Sequence, residues 1–121
     1  MNDQLILEKE LRETVRKFAL KNIQPFVEVD DEKQHFRMDV YQGLGELGLC
    51  GMMNSSEYGG ADLNCYLFSA VLEELARVSV SYSVTLSVSA MTQSIIEKFG
   101  TPDQKTKYLP NLISGKEIGA F

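Results

Sequence analysis

Residues 78–89 have the sequence VSVSYSVTLSVS. Apolar and polar residues alternate strictly along it, a pattern typical of a half-buried β-strand. A lone strand among helices would leave its backbone N–H and C=O groups without partners. Read as a helix, the same region forms one continuous face from Val80, Val84, Ser87, Val88, Met91 and Ile95. The residues alone leave both interpretations open.

The segments on either side favour helices. Leu7, Leu11, Val15, Phe18 and Ala19 recur at spacings of three and four, which predicts an amphipathic helix over residues 4–22. We expect Asp3 to cap its start, because an Asp side chain can accept from the free N–H groups of the first turn.

Four more helices are predicted outside the alternating stretch. They cover residues 25–34, 39–47 and 62–77, and a segment that begins after Thr101. In the second of these, Val40, Leu44 and Leu47 are expected to face inward. Asp62 is expected to cap the third, and Thr101-Pro102-Asp103-Gln104 predicts a capping box at the start of the fourth.

Composition excludes several classes of protein. The 121 residues are 44% hydrophobic and 24% charged, as expected for one globular domain or part of a larger protein. Twelve Lys and Arg oppose 17 Asp and Glu, and a net charge of −5 argues against nucleic-acid binding. No apolar run approaches the roughly 20 residues that span a bilayer. The acidic N-terminus lacks the pattern of a signal or transit peptide, so we expect a cytoplasmic protein with Cys50 and Cys65 as reduced thiols.

No self-contained catalytic set is visible. Residues 43–48 match the dinucleotide pattern G-x-G-x-x-G, but they lie in a predicted helix without a preceding strand, so we interpret them as a close-packing helix end. His35 is expected at the surface, and two cysteines with one histidine are too few for a structural zinc site. Glu73 and Glu74 point about 100° apart on a helix and do not form an acid–base pair. We therefore predict no catalytic residue and no metal ligand in this chain.

Four stretches, taken in their order and spacing, cover most of the chain and together form a specific pattern. They are LRETVRKFALKNIQP (11–25), LGELGLCGM (44–52), EYGGADLNCYLFSAVLEELARV (57–78) and IIEKFGTPDQKTKYLPNLISGKEIGAF (95–121). Together they resemble the N-terminal helical domain of the acyl-CoA dehydrogenase family. The resemblance implies an all-α domain over residues 1–121, with about six helices in an orthogonally packed up-and-down array. It also implies that residues 80–99 form a helix at the bottom of an acyl-chain pocket, which overrules the strand pattern.

The same resemblance implies an enzyme that oxidises an acyl-CoA to the trans-2-enoyl-CoA. FAD is the oxidant in that family, and electrons pass to an electron-transferring flavoprotein. The family's glutamate base and most of its flavin contacts belong to a middle β-domain and a C-terminal helical domain. We therefore expect this chain to be one part of a homo-oligomeric enzyme and to be inactive alone.

Individual site residues follow from the resemblance. Val84, Ser87, Val88 and Met91 match acyl-pocket positions, and Phe121 matches an aromatic position that runs along the flavin. The small Ser87 and flexible Met91 suggest a short-to-medium, straight or branched acyl chain. The plainer interpretation of the four pocket positions is that they are ordinary core residues. Two other functions stay open, the equivalent domain of an acyl-CoA oxidase or related flavin monooxygenase, and a non-catalytic helical interaction module.

Overall fold

The computed structural model describes residues 2–121, which form six α-helices and three short 3₁₀ turns. The helices are α1 (Asp3–Asn22), α2 (Val27–Lys33), α3 (Met38–Glu46), α4 (Cys65–Val78), α5 (Val80–Phe99) and α6 (Pro102–Ile113). The turns are Gln24–Phe26, Leu49–Gly51 and Ser56–Tyr58. Within residues 2–121 nothing is assigned to a β-strand, so the all-α prediction is confirmed. Helix α2 has only seven residues, and the five longer helices make up the body of the fold.

The alternating stretch is helical, as the resemblance implies and the residue pattern does not. Residues Val80–Phe99 form a single helix of 20 residues. Its hydroxyl side chains turn back onto helix carbonyls: Thr85 Oγ1 donates to the Ser81 carbonyl at 2.7 Å, and Ser83 Oγ donates to the Leu72 carbonyl of α4 at 2.9 Å. Serine and threonine hydroxyls in a helix can therefore form hydrogen bonds without contacting water. For this reason the alternation of polar and apolar residues does not indicate a half-exposed strand here.

Two predicted caps are wrong. Asn2, not Asp3, caps α1, and its side chain accepts from Leu5 N at 2.9 Å. Asn64, not Asp62, caps α4 by accepting from Leu67 N at 3.0 Å. At both helix starts two good capping residues stand close together, and backbone geometry decides between them.

The other end signals differ in their outcome. Asp62 lies in the preceding loop in the left-handed region, with φ of 53°, and accepts from Ser56 N. The capping box predicted between Thr101 and Gln104 is present at the start of α6. Pro110 lies inside α6 without ending it, because the helix continues to Ile113.

Helices α1, α4 and α5 build the core. Helix α4 packs against α1 on one side and α5 on the other, and α6 packs against α5. Val15 and Ala19, both predicted for the apolar stripe of α1, are fully buried. The inward face predicted for α3 needs one correction: Leu47 is 43% exposed, and Tyr41 is fully buried instead. Tyr41 directly follows the buried Val40 within α3, whereas Leu47 falls after the last helical residue.

A buried carboxylate joins α1 to α4. The Glu74 side chain is only 1% exposed and accepts from Arg16 Nη2 at 3.0 Å and Arg12 Nη1 at 3.2 Å. Arg12 also pairs with Glu8 and with Glu73, whose side chain is 63% exposed. Glu73 is thus on the solvated face, while its neighbour closes the interface between the helices.

These ion pairs make stability depend on pH. Hydrogen bonding from Arg16, opposed by burial and reinforced by Arg12, lowers the pKa of Glu74 below its ordinary value of 4.5. Because the folded-state pKa is depressed, the ionised carboxylate of Glu74 stabilises the fold fully above pH 4.5. This stabilisation is lost as the pH falls through the folded-state pKa.

We expect Glu74→Gln to unfold at lower urea concentration than the unaltered chain at pH 7. The two midpoints should draw together as the pH falls from 4.5 through the lower folded-state pKa, because Glu74 becomes protonated over that range and no longer attracts the arginines. Urea titrations between pH 3 and pH 7 measure this. Glu73→Gln is the matched control and should shift the midpoint little, since exposed ion pairs contribute little. A constant gap between Glu74→Gln and the unaltered chain at every pH would contradict the assignment.

The glycine-rich end of α3 is a packing surface. Gly43 and Gly45 lie within α3, and Gly48 takes φ of 81° just beyond it. A Cβ on Gly45 would overlap the backbone carbonyl of Ser114, where the end of α6 crosses α3. The dinucleotide pattern therefore serves helix contact here, as interpreted from the sequence.

Candidate functional site

Helix α5 exposes apolar side chains and buries polar ones beside Tyr82 and Leu86. Its solvent face carries Val80, Val84, Met91 and Ile95, which are 61%, 52%, 51% and 44% exposed. Its inner face contains polar residues that are completely buried, among them Gln93 at 0% exposed. A helix on the surface of a complete domain ordinarily places these classes the other way round. The outward apolar face therefore marks a surface built to be covered.

The buried polar face is fully used. Gln93 Nε2 donates to the Cys50 carbonyl at 2.7 Å and to Asn54 Oδ1 at 2.8 Å, while its Oε1 accepts from Ser89 Oγ at 3.1 Å. Asn54 Nδ2 in turn donates to Glu97 Oε1 at 3.2 Å. We call Cys50, Asn54, Ser89 and Gln93 the Gln93 cluster. It fixes α5 to the loop between α3 and α4 and leaves the opposite face of the helix free.

A hollow of about 450 Å³ opens beside the free face, between α5, α4 and the end of the chain. We call it the α5 hollow. Its walls are apolar except for two serine hydroxyls. The lining residues are Met53, Phe68, Leu72, Ser87, Ala90, Met91, Ser94, Ile95 and Phe121. Such a surface suits an aliphatic chain and offers no charge to a polar one.

The structure brings three of the five predicted site residues together. Ser87, Met91 and Phe121 line the α5 hollow. Val84 and Val88 lie on the same helix but are not among the lining residues. Exposure of Val84 at 52% and Met91 at 51% sets aside the interpretation of these two as ordinary core residues.

Sequence reasoning missed the other walls of the hollow. Phe68 and Leu72, four residues apart on α4, form one of them, and Met53 comes from the loop before α4. The i, i+4 spacing of the α4 pair could have indicated a shared face. Nothing in the sequence shows that this face meets α5 across a hollow.

A larger hollow lies elsewhere and does not fit the same ligand. It measures about 540 Å³, between α2 and the start of α5, and its rim carries Glu28, Asp30, Asp31 and the exposed His35. Carboxylates at this density repel phosphate groups, so the site does not suit a CoA thioester or a dinucleotide. Asp30 is already paired with Arg37 at 2.6 Å, which lowers the pKa of its carboxyl.

Among residues 2–121, no three His, Cys, Asp or Glu side chains come together as a metal site would require. Both cysteines are free, and burial raises the pKa of the Cys50 thiol to about 11, which keeps it protonated and unreactive at neutral pH. Asn54, the first residue of a glycosylation pattern, is 5% exposed and bonded inside the Gln93 cluster. None of the helices within residues 2–121 is long and apolar enough to cross a bilayer.

A flavin does not fit the α5 hollow by itself. No Lys or Arg lines the hollow, so nothing there would balance the phosphates of FAD. Phe121 is 79% exposed and presents an aromatic ring at the edge of the hollow. An aromatic ring such as that of Phe121 can stack on a flavin ring system, and the lining of the hollow offers no charged contact to the rest of the cofactor.

Comparison with known proteins agrees with this geometry. Residues 7–116 match the family model for the acyl-CoA dehydrogenase N-terminal domain. A mitochondrial 2-methylacyl-CoA dehydrogenase from Solanum tuberosum is 39% identical over 117 residues, which are 94% of this chain and 28% of that protein.

Two solved structures share the fold. The butyryl-CoA dehydrogenase from Megasphaera elsdenii superposes with a TM-score of 0.86 at 27% identity, over 98% of this chain and 31% of that one. An acyl-CoA dehydrogenase complexed with FAD from Bacillus anthracis superposes with a TM-score of 0.80 at 27% identity, over 92% of this chain and 19% of that one. The chain thus spans less than a third of the length of each of these proteins. It belongs to the acyl-CoA dehydrogenase family, in which it corresponds to the N-terminal domain.

Proposed function

We propose that this chain forms the acyl-pocket wall of an FAD-dependent acyl-CoA dehydrogenase that converts an acyl-CoA to the trans-2-enoyl-CoA. The observation that carries the proposal is the exposed apolar face of α5, with Val84 and Met91 half exposed and Gln93 fully buried. Fully burying one apolar side chain contributes about 1.5–3 kcal/mol, so covering a half-exposed one contributes about half of that. An aliphatic substrate together with further protein would supply that cover.

In this mechanism the described residues bind and orient, and they exclude water. Ser87 and Met91 would contact the acyl chain, and Phe121 would flank the flavin. Bound FAD supplies the acceptor for the hydride that leaves the acyl β-carbon. The carboxylate base, the phosphate contacts of CoA and most of the flavin site would come from domains beyond residues 1–121. The chain alone is therefore proposed to be inactive.

The volume of the α5 hollow supports a short-to-medium acyl chain. Its roughly 450 Å³ is bounded mainly by apolar side chains, Leu72 among them. One relative is named for a branched 2-methylacyl-CoA, and one neighbour is named for butyryl-CoA, a short straight thioester. We propose the same substrate class here, straight or branched.

The remaining partners follow from family membership. We propose that electrons pass to an electron-transferring flavoprotein, that the complete enzyme is a homo-oligomer, and that it is cytoplasmic. An acyl-CoA oxidase domain would present the same hollow and differ in the missing domains. A stand-alone interaction module is disfavoured because the α5 face leads into a hollow rather than forming a flat patch.

A fusion enzyme tests the proposal. Residues 2–121 would replace the matching N-terminal domain of the Megasphaera elsdenii butyryl-CoA dehydrogenase, and FAD content and acyl-CoA-dependent dye reduction would be measured. We expect bound FAD and turnover, with none from the 121-residue chain given FAD, acyl-CoA and the same dye. A fusion that binds FAD but reduces no dye with any short or medium acyl-CoA would contradict the proposal.

In the same fusion, Met91→Phe should shorten the preferred acyl chain. A bulkier, stiffer side chain fills the hollow, so kcat/KM for an octanoyl thioester should fall about 10–200-fold, while that for a butyryl thioester changes little. Leu20→Phe, at a half-exposed position of α1 outside the hollow, is the control and should leave the ratio unchanged. Equal losses on both substrates would show that Met91 does not set chain length.

A further inference from the structure

The last residues of the chain cross α5 with little support of their own. Residues 118–121 have no regular secondary structure, and Glu117 N makes the preceding backbone bond, to the Asn111 carbonyl at 3.2 Å. After Glu117, the described residues show one hydrogen bond from the backbone, in which Gly119 N donates to Ser89 Oγ at 3.0 Å. Phe121 follows two residues later and lines the α5 hollow. Where that ring lies therefore depends on what holds Gly119.

Ser89 is unusually well placed to hold it. Its side chain is 0% exposed, and its hydroxyl donates to Gln93 Oε1 at 3.1 Å while accepting from Gly119 N. Because the single hydroxyl proton is committed to Gln93, the oxygen lone pairs are directed to the incoming amide. Gln93 is itself locked by its two bonds to Cys50 and Asn54. The acceptor offered to the tail is thus fixed by three further residues.

The tail also approaches α5 too closely for a side chain at position 119. A Cβ built on Gly119 would lie 2.8 Å from both Cβ and Cγ2 of Thr92, one turn along from Ser89. Glycine at this position lets the backbone come within hydrogen-bond reach of the buried serine. Hydrogen bond and close contact together define one register for the tail.

We propose that Ser89 is a positioning residue, which fixes residues 117–121 on α5 through Gly119 and thereby sets where Phe121 closes the α5 hollow. The inference rests on the proposed function only for what Phe121 faces. It adds that the buried side of α5 controls the shape of its exposed side. A polar residue with no access to ligand would then influence how the hollow receives one.

The experiment uses the 121-residue chain with Phe121→Trp as a fluorescent probe, since the natural sequence contains no tryptophan. Ser89→Ala removes the acceptor, and Gly119→Ala adds a methyl group against Thr92 while keeping Ser89. Ser81→Ala, the same change at an exposed position of α5, is the matched control. Amide hydrogen exchange at residue 119 and the fluorescence anisotropy of the introduced indole are measured in each. Neither readout involves an acyl ligand or a flavin, so a negative result here leaves the proposed function standing, and failure of the fusion enzyme leaves this inference standing.

We expect Ser89→Ala and Gly119→Ala to speed exchange at residue 119 about tenfold or more and to lower the anisotropy, with the slowest helix amides unchanged. Ser81→Ala should match the probe chain. Exchange at residue 119 that stays as slow in Ser89→Ala as in the control would overturn the proposal. So would a uniform acceleration throughout α5 and α6, which signals general loosening rather than positioning. If Ser89→Ala does not fold, Gly119→Ala decides, because that residue lies beyond the last helix, and an unchanged anisotropy of the indole would again overturn it.

Discussion

Replacing Gly45 with alanine should lower the free energy of unfolding by about 2–4 kcal/mol. The added methyl group would overlap the Ser114 carbonyl, and backbone cannot rotate away as a side chain can. Alanine would gain about 1 kcal/mol in helix propensity, so the steric cost must exceed that gain before any loss appears. Urea unfolding followed by circular dichroism at 222 nm measures the difference.

Gly43→Ala is the matched control, in the same helix and with the same added group. Its Cβ would approach the tip of the Phe18 ring at 2.9 Å, and that ring can shift. We expect a change within about 1 kcal/mol, because helix propensity offsets the adjustment. Equal losses for both variants would show that glycine in α3 matters for its backbone and not for the crossing with α6.

Replacing Gln93 with leucine should destabilise the chain by about 2–5 kcal/mol, although leucine is the more apolar residue and the site is fully buried. The substitution removes both donors to Cys50 and Asn54 and the acceptor of the Ser89 hydroxyl. Each buried polar group left without a partner costs about 1–3 kcal/mol, which outweighs the gain from burying the new side chain.

Gln42→Leu controls for the change of residue type. Gln42 is exposed on α3, so the same substitution there should alter the free energy of unfolding by no more than about 0.5 kcal/mol. Thermal or urea unfolding of both variants suffices. If the Gln93→Leu chain were as stable as the unaltered one, the Gln93 cluster would make no net contribution to the free energy of unfolding. Some buried polar groups are neutral in this way.

Local signals predicted most of the helices because apolar spacing and end residues act over a few neighbouring positions, although two caps fall on a different residue from the predicted one. The spacing of Leu7, Leu11 and Val15 and the capping box at Thr101 require only neighbouring residues to be read correctly. Helix α5 could not be predicted that way. Its alternation is typical of a strand, and the groups that satisfy its buried polar side chains lie on other elements: Leu72 in α4 accepts from Ser83, and Cys50, 43 residues away, accepts from Gln93.

The residues of the candidate site also fall into those that could be predicted from the sequence and those that could not. Ser87 and Met91 were predicted because a family resemblance marked α5, and Phe121 because it marked the end of the chain. Phe68 and Leu72 escaped notice because their role depends on the angle at which α4 meets α5. The side of α5 that faces solvent also had to come from the structure, since hydropathy alone would assign Gln93 outward and Met91 inward.

The partnership of α1 with α4 has a consequence for biosynthesis. The apolar stripe of α1 has α4 as its main partner, yet α4 is translated only after α2, α3 and the long loop that follows them. During synthesis the stripe around Val15 and Ala19, which is buried in the fold, lacks its α4 partner until residues 65–78 have left the ribosome. Closure of the α1–α4 interface therefore has to follow the synthesis of residues 65–78, after α2, α3 and the loop have been made.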